Sequence, residues 1–215
     1  MFTLSENDDE SKLGDQLPQV LRAVLSSPPV KADTIISPAW IQVLGDAMQA
    51  YMITDAGACM EELEEAWKAA WNFLNSSNPE VRKASARTLS ILVSCSSPSL
   101  GETTVARPQE SSIMSKIISQ VIKALENVAY AHSTPELLAI ISSLITGARG
   151  RGSRTASEAA EALLLPLVSK VGELRAHKDF KFKEAADTTL GVAMQIFGPE
   201  DLLRKLPLNL EPEQR

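Results

Sequence analysis

Residues 78–95 read NPEVRKASARTLSILVSC, and every feature of that stretch is a helix signal. Asn78 supplies a capping oxygen. Pro79 then sits at the first helical position, where its missing N–H would have had no intrahelical partner. Glu80 follows in the first turn, where a carboxylate suits the positive end of the helix dipole. Spacing of three and four then puts Val81, Ala84, Ala86, Leu89 and Leu92 inward, with Arg82, Lys83 and Arg87 largely outward. The small alanines let a neighbouring helix come close.

The same syntax recurs along the chain. Ser37-Pro38 and Thr134-Pro135-Glu136 repeat the pairing of capping residue and proline. Ile113, Ile117, Val121, Leu125 and Val128 form one apolar face, widened by Met114, Ile118 and Ile122. FKFKEAADTTLGVAMQIF, residues 180–197, turns Phe182, Ala185, Ala186, Leu190 and Ala193 inward. No stretch alternates with period two. Helices are therefore expected at 17–26, 38–53, 57–75, 79–95, 110–131, 135–147, 156–176 and 180–197, with a short one from 199 after a stop at Phe197-Gly198.

Helix starts at 38, 79, 135 and 180 lie 41, 56 and 45 residues apart. A HEAT or armadillo repeat has a period of about 40 to 47. The long middle interval holds SSPSLGETTVARPQES, a loop insertion near 96–109 that accounts for the excess. The expected fold is all-α, an α-solenoid of about four HEAT/armadillo-like helical hairpins plus a partial terminal layer, each pair burying its second face on its neighbours in one right-handed arc. A compact helical bundle is the structural alternative. The organisation expected is an acidic, flexible segment at 1–14 and a helical-repeat domain over 15–211, with an Arg/Gly loop near 148–155. The apolar LLRKLPLNL at 202–210 is expected to begin a next layer, as in part of a longer solenoid.

Composition narrows the classes of function. With 215 residues, 44% hydrophobic and 22% charged, the chain falls in the ordinary globular range. The N-terminal MFTLSENDDESKLG is acidic where a secretory signal needs a basic start, and no run approaches the roughly 20 apolar residues of a spanning helix. A soluble intracellular protein with no membrane partner is expected. Cys59 and Cys95 lack a CxxC or a histidine at ligand spacing, so neither a disulfide framework nor zinc is indicated.

No catalytic set emerges, and neither an enzyme, a cofactor nor a small-molecule substrate is expected. His132 and His177 fall near helix ends without a partnering cysteine or carboxylate pattern. GARGRGSRTAS, residues 147–157, follows a helix rather than a strand and lacks the Gly-Lys-Ser/Thr ending of a phosphate loop. It does place Arg149, Arg151 and Arg154 beside a helix start capped by Thr155 or Ser157, a set able to hold a phosphate. A solvated linker is the plainer reading. Further on, Lys170, Arg175, Lys178, Lys181 and Lys183 extend the positive charge. If they share an edge with the arginines, they could track a nucleic-acid backbone on a chain whose net charge is −6. Phe180 and Phe182 are expected to point inward. Trp67 and Trp71, spaced i,i+4 with Leu63 and Leu74, read as a packed interhelical seam, and Glu61, Glu62, Glu64 and Glu65 as a solvated face.

Three stretches together resemble a known family: SPAWIQVLGDAMQAY at 37–51, EEAWKAAWNFLNSSNPEVRKASARTL at 64–89, and LGVAMQIFGPEDLLRKLPLNLEP at 190–212. They are similar to the central repeat region of the ribosomal RNA-processing protein 12-like family of large nucleolar HEAT-repeat proteins, over most of residues 15–211. The resemblance implies a non-enzymatic factor, placed in the nucleus and nucleolus. Its partners would be pre-ribosomal particles or ribosomal RNA and ribosome-assembly proteins, in rRNA maturation and export of subunits from the nucleus. It carries over no active-site residue. Two rivals stand beside it: an adaptor that binds only proteins, in the manner of transport receptors, and a regulatory subunit of an enzyme.

Overall fold

The computed structural model describes residues 6–96, 113–147 and 154–205. The described elements are α1 (Glu6–Ser26), α2 (Ile36–Thr54), α3 (Ala56–Trp71), α4 (Pro79–Ser96), α5 (Ile113–Glu126), a 3-10 helix (Val128–Ser133), α6 (Thr134–Gly147), α7 (Arg154–Ala176), α8 (Lys183–Phe197) and α9 (Pro199–Lys205). No strand occurs among the described residues. The chain divides into two compact units, Met1–Ser96 with Val128–Glu136, and Ser97–Asn127 with Leu137–Arg215.

In the first unit α2 packs on α1, α3 and α4, and α3 packs on α4. Leu21, Ile41, Leu44, Met48, Leu63, Leu74, Leu89 and Leu92 are fully buried there, each worth about 1.5–3 kcal/mol relative to exposure. Trp67 and Trp71 lie in this core as expected, their rings stacked with centroids 5.7 Å apart. Trp40 packs on Phe73 at 5.6 Å and donates its indole N–H to Val24 O, tying α2 to the end of α1.

In the second unit α5 packs on α7, α7 on α8, and α8 on α9. Its core holds Ile117, Val121, Ile140, Ile141, Leu164, Leu167 and Val171. Thr189 on α8 and Ser142 on α6 bring their hydroxyls to 3.1 Å, and both reach Leu138 O, so this polar contact is satisfied inside the packing. Gly198, at φ 91°, closes α8 in a conformation that only glycine adopts cheaply, and Pro199 opens α9 as the sequence indicates.

Several boundaries differ from expectation for local reasons. α1 begins at Glu6 rather than at 17, with acidic residues favourable to the dipole in its first turns. Ser37 lies inside α2 rather than at its cap: Ile35 is the capping position, Asp33 Oδ1 accepts from the N–H groups of Ile35 and Ile36, and the buried Ser37 hydroxyl donates to Val30 O. α3 stops at Trp71, and Phe73 and Leu74 are buried from the turn that follows. α5 ends at Glu126, and the change to 3-10 geometry rotates Val128 off the apolar face into solvent, 85% exposed. α7 begins at Arg154, placing Thr155 and Ser157 inside the helix rather than at its cap.

One stretch is more apolar than the sequence reading allowed. Val128–Gly147 is long enough and, at a mean hydropathy of 1.2, apolar enough to cross a membrane by composition. Here it forms a 3-10 turn and α6, and Leu137, Leu138, Ile140, Ile141, Leu144 and Ile145 are all buried against protein. The loop insertion near 96–109, apart from Ser96, and LPLNL at 206–210 fall outside the described residues.

Candidate nucleic-acid interface

The lysines of interest cluster where α7 turns into α8. The turn is held by the N–H of His177 donating to Leu174 O, that of Phe180 to His177 O, and that of Ala186 to Phe182 O. Phe180 and Phe182 meet edge to face at 6.0 Å and are half-buried, so they brace the corner from beneath. This arrangement leaves Lys178 and Lys181 exposed and Lys183 half-buried at the first position of α8.

Two cations from the same helix are already engaged. Arg175 Nε lies 2.7 Å from Asp187 Oδ1 and its Nη2 3.4 Å from Oδ2, a forked pair that holds the guanidinium to α8 and raises its pKa. Lys170 Nζ lies 2.8 Å from Glu126 and 3.4 Å from Glu173, and its hydrogen bond to Glu126 is the main cause of its raised pKa. By contrast, Lys178, Lys181 and Lys183 have no ion-pair partner among the described residues. Asp179 and Glu184 beside them temper the local field.

Of the expected basic edge, the described residues relate only Arg154 to the lysines. Arg149 and Arg151 lie outside the described residues, and Arg154 is the first residue of the 23-residue α7 while Lys178 follows its last turn. At a rise of 1.5 Å per residue, Arg154 and the lysine corner are about 33 Å apart. Arg154 and the lysine corner thus stand at opposite ends of one helix. Periodicity could have shown this, because a helix expected over 156–176 already separates them.

His132 and His177 are exposed, and no group of three or more His, Cys, Asp or Glu side chains is placed to hold a metal among the described residues. On α3, Glu61 and Glu65 are exposed, and Glu64 pairs with Lys68 at 2.7 Å, so this acidic face is solvated.

Against known proteins, residues 75–215, well over half of the chain, match the family model described as ribosomal RNA-processing protein 12, HEAT repeats. The chain belongs to that family. It is 28% identical over 183 residues to the putative ribosomal RNA-processing protein 12 of Schizosaccharomyces pombe, covering 85% of this chain. It is 23% identical over 221 residues to ribosomal RNA-processing protein 12 of Saccharomyces cerevisiae, covering 97% of this chain. The matched regions make up 14% and 17% of those two proteins. No solved structure matches. The all-α architecture and the HEAT family together give the α-solenoid class expected from the helix starts.

Proposed function

We propose that this chain is a stretch of non-enzymatic HEAT-repeat scaffold acting in ribosome biogenesis, where it holds precursor ribosomal particles during rRNA processing and their export from the nucleus. Family membership supports the setting of rRNA processing, and a nuclear and nucleolar location is part of this proposal. The exposed Lys178 and Lys181, which have no ion-pair partner among the described residues, support the physical part, because cations not committed to internal ion pairs are the ones free to replace counterions on a phosphate backbone. Arg149, Arg151 and Arg154, the last of them the first residue of α7, are the second set of cations in this reading. Such contacts confer affinity without reading sequence.

The net charge of −6 favours a second reading, an adaptor that binds only proteins. Binding of the purified chain to structured rRNA precursor fragments across a salt series separates the two. Affinity that falls steeply with salt, and falls again in a Lys178→Glu/Lys181→Glu variant and in an Arg149→Glu/Arg151→Glu/Arg154→Glu variant, is expected of the RNA scaffold. A folded, helical chain that ignores RNA at low salt would leave the protein adaptor.

A further inference from the structure

Cys59 and Cys95 are separated widely in sequence and carry no motif, yet the fold brings their thiols to one point. Cys59 lies on α3 and Cys95 in the last turn of α4, and both are buried, at 0% and 3% exposure. The Sγ of Cys59 is 3.5 Å from Met48 O on α2, and the Sγ of Cys95 is 3.9 Å from the same oxygen. Both thiols are free, and their two sulfurs share this one acceptor. Two S–H groups thus converge on one carbonyl oxygen.

We propose that Cys59 and Cys95 are a modification site, a dithiol that a peroxide oxidises to an intramolecular disulfide clamping α3 to α4. The Cys95 thiolate attacks a peroxide oxygen; an S–O bond forms, the O–O bond breaks, and the leaving hydroxide takes a proton to become water. Cys59 then attacks the Cys95 sulfenic acid; the S–S bond forms, the S–O bond breaks, and the second water departs with the Cys59 proton. Two thiols lose two electrons and the peroxide gains them.

The order of attack follows from the pair's asymmetry. The neighbouring Cys95 and burial push the Cys59 thiol up, while the neighbouring Cys59 lowers Cys95 against the opposing effect of burial, so the first attack is assigned to Cys95. Closing the bond removes both S–H donors, while Met48 O keeps its place in the α2 ladder, so no buried acceptor is orphaned. Simple apolar packing of two small thiols is the competing account.

The test is hydrogen peroxide treatment of the native chain, followed by alkylation and peptide mapping. A monomer that has lost two hydrogens, a linked peptide joining Cys59 to Cys95, and a raised Tm that reverts with dithiothreitol are expected. In Cys59→Ser the sulfenic acid should be trapped by a dimedone probe at Cys95, and Cys95→Ser should trap little at Cys59. Two free thiols persisting in the native chain, while the same oxidant links them in the urea-unfolded chain, would overturn the proposal. Disulfides formed only between chains, or trapping mainly at Cys59, would overturn the clamp and the order of attack respectively.

Discussion

Arg82 Nε lies 3.4 Å from Glu136 Oε1, with only 12% and 9% of the two side chains exposed. The sequence pattern had turned Arg82 outward with its neighbours. Instead its Nη1 reaches Ser76 O at 2.9 Å and Ser77 O at 3.1 Å, stitching the turn after α3 to the start of α6 within one unit. The pair is not ideally aligned, since Nε and Glu136 Oε2 have no hydrogen-bond partner. Removing one member leaves a nearly buried charge alone. Arg82→Ala and Glu136→Gln should therefore each cost about 3 kcal/mol, near the low end for such pairs, and the double variant less than their sum. Urea unfolding of all three variants measures this.

Gly45 is a close-approach site between α2 and α4. A Cβ there would stand 2.9 Å from Thr88 Oγ1 and 3.3 Å from Ile91 Cδ1. Thr88 cannot easily yield, because its buried hydroxyl donates to Ile41 O at 2.9 Å. Alanine gains up to about 1 kcal/mol of helix propensity, but overpacking costs about 1–3 kcal/mol. Gly45→Ala should lower Tm, and a raised Tm would refute the tight crossing.

Trp71 and Tyr130 are tied by an indole N–H to hydroxyl bond of 2.9 Å, their rings 5.7 Å apart. Tyr130→Phe keeps the ring and orphans the N–H. A loss of about 1 kcal/mol is expected, together with a changed Trp emission. An unchanged denaturation midpoint would mean that water takes the hydroxyl's place at no cost.

Among the cations of α7 and α8, RNA binding should discriminate by pairing state. Lys178→Ala with Lys181→Ala should reduce the slope of log affinity against log salt by about 1.4 to 1.8, two phosphate contacts' worth. Arg175→Ala should leave that slope nearly unchanged, because its guanidinium already serves Asp187. Equal effects from both would dissociate RNA affinity from free charge.

Tyr51 sets an alkaline limit. Burial chiefly, then the carboxylate of Asp55, raises its pKa above the ordinary value of 10.0. A phenol whose folded pKa is raised contributes stability below its unfolded value and loses it as pH rises through the folded value. Stability should therefore decline above about pH 10, and Tyr51→Phe should flatten that part of the pH profile.

Much of this protein was legible in residues 78–95 and their counterparts. Cap, proline and apolar spacing are local signals, so α2, α4, α6 and α8 fall within a few residues of where they read. Gly198-Pro199 marks the boundary between α8 and α9 in plain sequence. The buried seam of Trp67 and Trp71 follows equally from i,i+4 spacing. These features depend on neighbours within a turn or two of helix, which is what a sequence displays.

What tertiary structure alone decided were pairings between distant positions. That Arg82 turns inward depends on Glu136, that Arg175 is spent on Asp187 depends on how α7 meets α8, and that Cys59 meets Cys95 depends on both helices leaning on Met48 of α2. A side chain's charge and periodicity state which face of its own helix it occupies. Whether that face meets water, a counter-charge or another thiol is settled only when a second helix packs against it.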